Sequence, residues 1–224
     1  MKYTFTIFFL LIISLGVNSQ EIFSVKKVRN IKLNVSSLID PVYSYQISFE
    51  YGIKNRLTIQ NEFGIITNFS PYYKKYQKLS GIRLKNEIRY YFLKKNNKKS
   101  DKYFASEIQW VNYNYAQNQE FFDETAWDGG PVSFWSEVKW HKNIFAFHQK
   151  IGLQINSKKT HFLFDIYTGL GVRYIYSEKV LPSTNKILEE NTNLIIDLIE
   201  RYPDGKHILP SFTLGCKIGF SLKK

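Results

Sequence analysis

Apolar and polar residues alternate with a period of two along much of the chain. Tyr43, Tyr45, Ile47, Phe49 and Tyr51 alternate with Ser44, Gln46, Ser48 and Glu50. Leu57, Ile59, Phe63 and Ile65 oppose Thr58, Gln60, Glu62 and Gly64. Ile82, Leu84, Ile88, Tyr90 and Phe92 oppose Arg83, Lys85, Glu87 and Arg89. Phe162, Phe164, Ile166, Leu170, Val172, Tyr174 and Tyr176 oppose Asp165, Tyr167, Gly169, Gly171 and Arg173. Phe212, Leu214, Cys216, Ile218 and Phe220 oppose Ser211, Thr213, Gly215, Lys217 and Gly219. Successive side chains of a strand point to opposite faces, so this pattern predicts strands with one apolar face. Weaker alternation predicts strands over 31–38, 103–115 and 138–155, the last extending back to about 132 as a hairpin arm. The total is eight. A helical period appears only over 185–202, where Leu188, Leu194, Leu198, Ile199 and Tyr202 recur at three- and four-residue spacing. That predicts a short helix in the last long loop, with a β-hairpin as the competing form.

The connections alternate in length. With both termini at one end, the turns at 52–55, 94–101 and 156–159 are short to moderate. The other end carries a short link at Asp40-Pro41 and three long loops: one beginning near Thr67, one holding Trp127 to Pro131, and 178–207. Short turns at one end and long loops at the other are the pattern of an outer-membrane up-and-down barrel. A soluble barrel also alternates, with its apolar face inward. Glycine position separates the two. Gly64, Gly81, Gly152, Gly169, Gly171, Gly215 and Gly219 all fall on the polar face. The interior of an eight-stranded barrel is just filled by side chains and needs small residues, whereas glycine on a solvated exterior only weakens a strand. The polar face is therefore expected inside, with lipid on the apolar face.

Composition sharpens this. The chain has 224 residues, of which 44% are hydrophobic, 17% aromatic and only 22% charged. Sixteen Tyr and 18 Phe exclude a disordered chain, and a mean hydropathy of −0.30 excludes a bundle of membrane helices. Tyr and Trp at strand ends suit membrane interfaces. The net charge of +12 would suggest nucleic acid in a cytosolic protein. The N-terminus argues otherwise. Lys2, an apolar run from Phe5 to Val17, and Val17-Asn18-Ser19 before Gln20 predict a cleaved secretory signal peptide over 1–19 and a barrel domain over 20–224. Export removes nucleic acid as a partner. The single Cys, Cys216, forms no internal disulfide, and no Cys follows the apolar run to carry a lipid anchor.

The stretches LNVSSLIDPVYSYQISFEYGIKNRLTIQNEFG, GIRLKNEIRYYF, KIGLQI, FDIYTGLGVRYIY and LPSFTLGCKIGF resemble a family of small Bacteroidetes outer-membrane barrels, known mostly as a domain of unknown function. The resemblance spans nearly the whole mature chain. It implies an eight-stranded, OmpA/OmpX-like transmembrane barrel and little about activity. The chain departs from such barrels in ending Phe220-Ser221-Leu222-Lys223-Lys224, which places the last aromatic four residues early.

The inward polar face carries both signs of charge: Lys32, Arg83, Lys85, Arg89, Lys150, Arg173 and Lys217 against Glu50, Glu62, Glu87, Glu107 and Asp165, with His148. Buried charges must pair, so an interior ion network is expected. His148, Lys150, Asp165 and Arg173 share the inward face of adjacent strands; a polar relay is the sharper alternative to register-fixing ion pairs. His141 has Glu137 four residues before it, but a strand separates such positions by about 13 Å. No nucleophile elbow or metalloprotease motif occurs, so neither catalytic nor metal-binding residues are assigned, and no cofactor is expected. All four Trp (Trp110, Trp127, Trp135, Trp140), with Tyr113, cluster around the fifth and sixth strands. An outer aromatic belt is expected there, and Phe121, Phe122, Trp127, Phe134 and Trp135 form a candidate surface for a glycan or a partner. Lys74, Lys75 and Lys78 suit contact with lipopolysaccharide phosphate. The expected partners are outer-membrane lipid, lipopolysaccharide, the barrel assembly machinery and an unidentified surface ligand. The expected role is non-enzymatic and surface-directed, against a lipid-modifying barrel enzyme or a narrow channel.

Overall fold

The computed structural model describes residues 29–40, 42–54, 56–68, 77–92, 100–123, 132–157, 160–180, 189–190 and 204–222. The expected signal peptide, the cluster Lys74 and Lys75, and Trp127 lie outside them. The strands are β1 (Arg29–Asn34), β2 (Ser44–Lys54), β3 (Leu57–Thr67), β4 (Gln77–Tyr91), β5 (Ser100–Asp123), β6 (Val132–Asn156), β7 (Phe162–Val180), β8 (Glu189–Glu190) and β9 (Gly205–Ser221). Every pairing is antiparallel. The order β4-β3-β2-β1-β9-β7-β6-β5 closes through a β4–β5 pairing into a ring of eight, with the two-residue β8 beside the far end of β5.

The register fixes the shape. A path along paired residues runs from Phe220 to Ile31, Phe49, Asn61, Asn86, Ile108, Phe147 and Val172, and returns to β9 at Pro210. One circuit therefore climbs ten residues, from 220 to 210. Eight strands with that stagger tilt by about 40° and enclose a backbone cylinder of about 8 Å radius. Such a bore is narrow, and side chains fill much of it.

Period-two alternation then sorts the residues. Inside lie Lys32, Glu50, Glu62, Lys85, Glu87, Arg89, Glu107, His148, Lys150, Asp165 and Lys217, all buried. Outside lie Phe49, Phe63, Ile88, Ile108, Phe147, Ile151, Leu170, Phe212 and Leu214, all exposed. The seven inward glycines have a shared reason. Each pairs with a large inward residue: Gly64 with Gln46, Gly81 with Tyr113, Gly152 with Tyr103, Gly169 with Lys150, Gly171 with His148, Gly215 with Tyr167, and Gly219 with Lys32. A Cβ at Gly152 would run into the Tyr103 ring, and one at Gly215 would sit 2.5 Å from Tyr167 Cζ. At Gly64, Gly152, Gly169, Gly171 and Gly215 the partner's side chain packs over the glycine, and at Gly81, Gly169, Gly171 and Gly219 the neighbouring backbone itself comes closest.

Several expectations need correction. The first strand stops at Asn34 rather than 38. Ser37 Oγ lies 2.7 Å from the Asn34 and Ser44 carbonyls, and Ser36–Leu38 forms a 3-10 turn that swings the chain into β2. Residues 189–190, placed in a helix by their period, are β-paired with Phe122 and Phe121; the rest of 185–202 lies outside the described residues. β5 runs from Ser100 to Asp123, well beyond the expected 103–115, whereas β6 starts at Val132, where its hairpin arm was expected. Tyr113 and Trp140 do not join an outer belt. They point inward with Ile66, Leu79, Val111, Tyr115 and Val138 as an apolar cluster at the loop end, where the lumen changes from charged to aromatic. Tyr115 and Trp140 stack there at 6.3 Å.

Candidate functional site

The lumen holds a single connected set of charges. Asp165 faces Arg89 Nη1 at 2.7 Å and Lys32 Nζ at 2.9 Å, and accepts from Tyr103 Oη at 2.7 Å. Glu50 faces the same Lys32 at 2.7 Å and accepts from Tyr91 Oη at 2.6 Å and Thr58 Oγ1 at 2.8 Å. Glu87 pairs with Arg89 Nε at 2.7 Å and with Lys150 at 3.5 Å. Lys150 also reaches Glu107. Glu62 takes Lys217 at 2.6 Å and Lys85 at 2.7 Å. The ammonium of Lys150 lies 4.4 Å from the Tyr167 ring centre, and the Arg89 guanidinium 4.3 Å from that of Tyr103. Five cations (Lys32, Lys85, Arg89, Lys150, Lys217) thus meet five carboxylates (Glu50, Glu62, Glu87, Glu107, Asp165). A balanced, multiply bonded set is the condition under which charges tolerate burial.

The seven-to-five excess counted on the sequence resolves by position. Arg83 leaves the set and pairs with Asp40 at 3.0 Å, near the loop end. Arg173 is half-buried and lines a cavity above the network. His148, Lys150, Asp165 and Arg173 share a face but are not brought together as a relay. His148 turns to Glu107 and Ser211, Lys150 to Glu87 and Glu107, and Asp165 to Lys32 and Arg89.

That cavity has a volume of about 420 Å³ and occupies the loop half of the lumen. Asp40, Arg83, Lys85, Lys142 and Arg173 supply its charged lining, with His148, Tyr113 and Tyr167 beside them. In one wall His148 Nε2 lies 2.9 Å from Ser211 Oγ, and His148 Nδ1 lies 3.2 Å from Glu107 Oε1. Sequence reasoning missed Ser211 as a partner, because 63 residues separate it from His148 and only the β6–β7–β9 register joins them. Among the described residues, no three His, Cys, Asp or Glu side chains are grouped to hold a metal ion.

Beyond the ring, β5 and β6 continue as a paired ribbon to Asp123 and Val132. Phe121 pairs with Phe134, and Phe122 with Ser133; Trp135 is 68% exposed. Nearer the ring, His141 sits outward among Asn112, Asn114 and Asn143, away from Glu137. Lys78, in left-handed backbone at a bulge, donates to Glu137 at 2.9 and 3.0 Å. Those hydrogen bonds hold the Glu137 carboxyl below its ordinary range.

The fold and its lumen define a class: a closed, eight-stranded, up-and-down antiparallel barrel filled by its own charged side chains. A family model described as "Protein of unknown function (DUF3575)" matches residues 5–136, and the chain belongs to that family. No curated protein matches the chain, and no solved structure does.

Proposed function

We propose that this chain is an integral outer-membrane barrel of the OmpA/OmpX-like kind, non-enzymatic, whose loop end meets lipid, lipopolysaccharide or a partner at the cell surface. The observation that carries this is the inversion of the usual globular order. Lys32, Glu50, Arg89, Asp165 and Lys217 are sealed inside, while large apolar side chains ring the outside. On β5 the outward stretch between Lys102 and Asn112 carries Phe104, Ser106, Ile108 and Trp110; its ends are ten residues apart, which at a 40° tilt is about 25 Å, the height of an outer-membrane apolar band. The predicted signal peptide supports export, and the aromatic ribbon with the cationic cavity supports the surface role.

Fractionation with heat-modifiable gel mobility tests location and fold together. The folded protein is expected in the outer-membrane fraction and to migrate faster unboiled. Recovery as a soluble periplasmic protein would overturn the reading. In planar bilayers the filled lumen is expected to pass no stepwise current above background, and discrete conductance steps would favour a channel instead.

One arrangement favours a second reading. Ser211, His148 and Glu107 stand in the order of a nucleophile, base and orienting carboxylate, on a cavity wall that also carries Arg173. Against it, Glu107 is shared with Lys150, and its contact with His148 Nδ1 lacks hydrogen-bond alignment. Ester release from lipid substrates that vanishes in Ser211→Ala would establish the enzyme.

A further inference from the structure

The outward apolar surface is interrupted halfway up by a row of polar side chains. Asn61 of β3 pairs directly with Asn86 of β4, and Ser106 of β5 with Gln149 of β6. Ser106 is two residues below Ile108, the partner of Asn86; Thr168 of β7 is two residues below Leu170, the partner of Gln149. The ladder climbs ten residues over eight strands, so a two-residue step down at every second strand keeps the row nearly level. Five consecutive strands therefore carry a polar outward residue at one height. Asn61, Asn86 and Gln149 are exposed, Ser106 and Thr168 half-buried.

The row is framed by apolar residues on both sides. Two positions away on the same strands lie Ile59 and Phe63, Ile88 and Leu84, Phe104 and Ile108, Ile151 and Phe147, and Ile166 and Leu170. At the same level, the remaining strands present Cys216, Leu33 and Ile47. The row is thus one-sided, spans β3–β7 with its centre at β5, and carries no charge.

We infer that this face is a self-association surface, on which a second copy of the chain packs through Asn61, Asn86, Ser106 and Gln149. The inference rests on the membrane reading above. In hydrocarbon there is no water to satisfy an amide, and each primary amide offers two donors and two acceptor lone pairs. Ser106 Oγ lies 3.0 Å from Gln149 Oε1, which uses part of that capacity and leaves the Gln149 amino group to find an acceptor. A second copy fits for a geometric reason. Two barrels inserted the same way up are related by a two-fold axis along the membrane normal, so each residue meets residues at its own height. A level row of amides, each both donor and acceptor, is then complementary to itself. A charged helix or peptide would find no opposite charge there.

The test compares wild type with Asn61→Leu/Asn86→Leu and with Gln149→Leu in lipid vesicles, by energy transfer between labelled copies over a lipid dilution series. Wild type is expected to associate, and the variants to weaken association at least tenfold. Wild type monomeric at every dilution, or variants that associate as well as wild type, would overturn the inference. Covalent cross-linking avoids dependence on those substitutions. In a Cys216→Ser background, Ile108→Cys beside the row is expected to cross-link to a dimer. Leu33→Cys, on the opposite strand of the ring, is expected not to, and equal cross-linking at both sites would also overturn it. Heat-modifiable mobility is read on the same samples. Insertion without association removes this inference alone, whereas failure of wild type to insert removes the membrane reading as well.

Discussion

Glu62→Gln removes one charge at nearly constant shape, and its consequence can be worked from the lumen. Lys217 lies 2.6 Å from Glu62, and its next carboxylate, Glu87, is 3.9 Å away. Lys85 lies 2.7 Å from Glu62; its other hydrogen bond goes to the neutral Gln46 at 2.8 Å. Glu62→Gln therefore leaves two buried lysines without a close counter-charge. Asp165→Asn is the matched comparison, because Lys32 keeps Glu50 at 2.7 Å and Arg89 keeps Glu87 at 2.7 Å. Removing one partner of a buried pair costs about 3–5 kcal/mol. We expect Glu62→Gln to cost about 4 kcal/mol, roughly a thousandfold in the folding equilibrium. Asp165→Asn should cost about 2 kcal/mol, the scale of a lost charge-assisted hydrogen bond. Equilibrium urea unfolding in lipid vesicles, followed by tryptophan fluorescence and gel mobility, measures both at unchanged slope. Adding Lys217→Met to Glu62→Gln removes one stranded cation and should recover part of the loss, a coupling of at least about 1 kcal/mol. Equal costs for the two carboxylates, or strictly additive losses in the double variant, would refute the reasoning.

Two further outcomes follow from local geometry. Gly152→Ala should destabilise by about 1–3 kcal/mol in the same unfolding assay, because the new methyl enters the space of the Tyr103 ring; a neutral result would show that the ring can move. The Glu137 carboxyl is held low by Lys78, so the pair's contribution is present at neutral pH and is lost as pH falls through the depressed value. Lys78→Ala should raise the Glu137 titration midpoint toward the ordinary carboxylate range, read by carboxyl-resolved NMR, while changing overall stability little because the pair is exposed.

How much of this was legible in the sequence depends on how far the period of two carries. It orders Phe162 to Tyr176 and Phe212 to Phe220 correctly, because their outward sides are apolar apart from Thr168, even though Leu163 and Ile175 are buried on the inward side of β7. It also places seven glycines inward, though not the large residues they face, since those pairings depend on register between strands. The period misleads where the environment changes along one face. Tyr113 and Trp140 are aromatic and inward because the lumen turns apolar above the charges, and a rule equating aromatic with outward cannot see that. Arg83 and Arg173 alternate in phase with the ion network yet sit above it, since phase gives the face and not the height. The run 31–38 alternates only as far as Ser36; Ser37 and Leu38 fall out of phase, and Ser37 hydrogen bonds to two carbonyls and folds the last residues back. The level row from Asn61 to Thr168 is invisible strand by strand. It exists only through the ten-residue stagger.

The ring closes at its shortest strand. β1 contributes only six residues and meets β9 through five pairs, Asn30 with Ser221 to Asn34 with Lys217, whereas β5 and β6 share 24. β1 also meets β2 through only five pairs, so on ladder bonds alone the wall would part first along one side or the other of this strand. Lys32 crosses both sides from the inside: its ammonium reaches past β9 to Asp165 on β7 while holding Glu50 on β2. Those partners stand 18 and 133 residues away in the chain, so the clasp cannot form until both ends of the sequence have come together. Closure is therefore a late event in folding, with little to gain until it is complete and much to lose once it is. Slow closing and slower opening should follow from the placement of a single lysine.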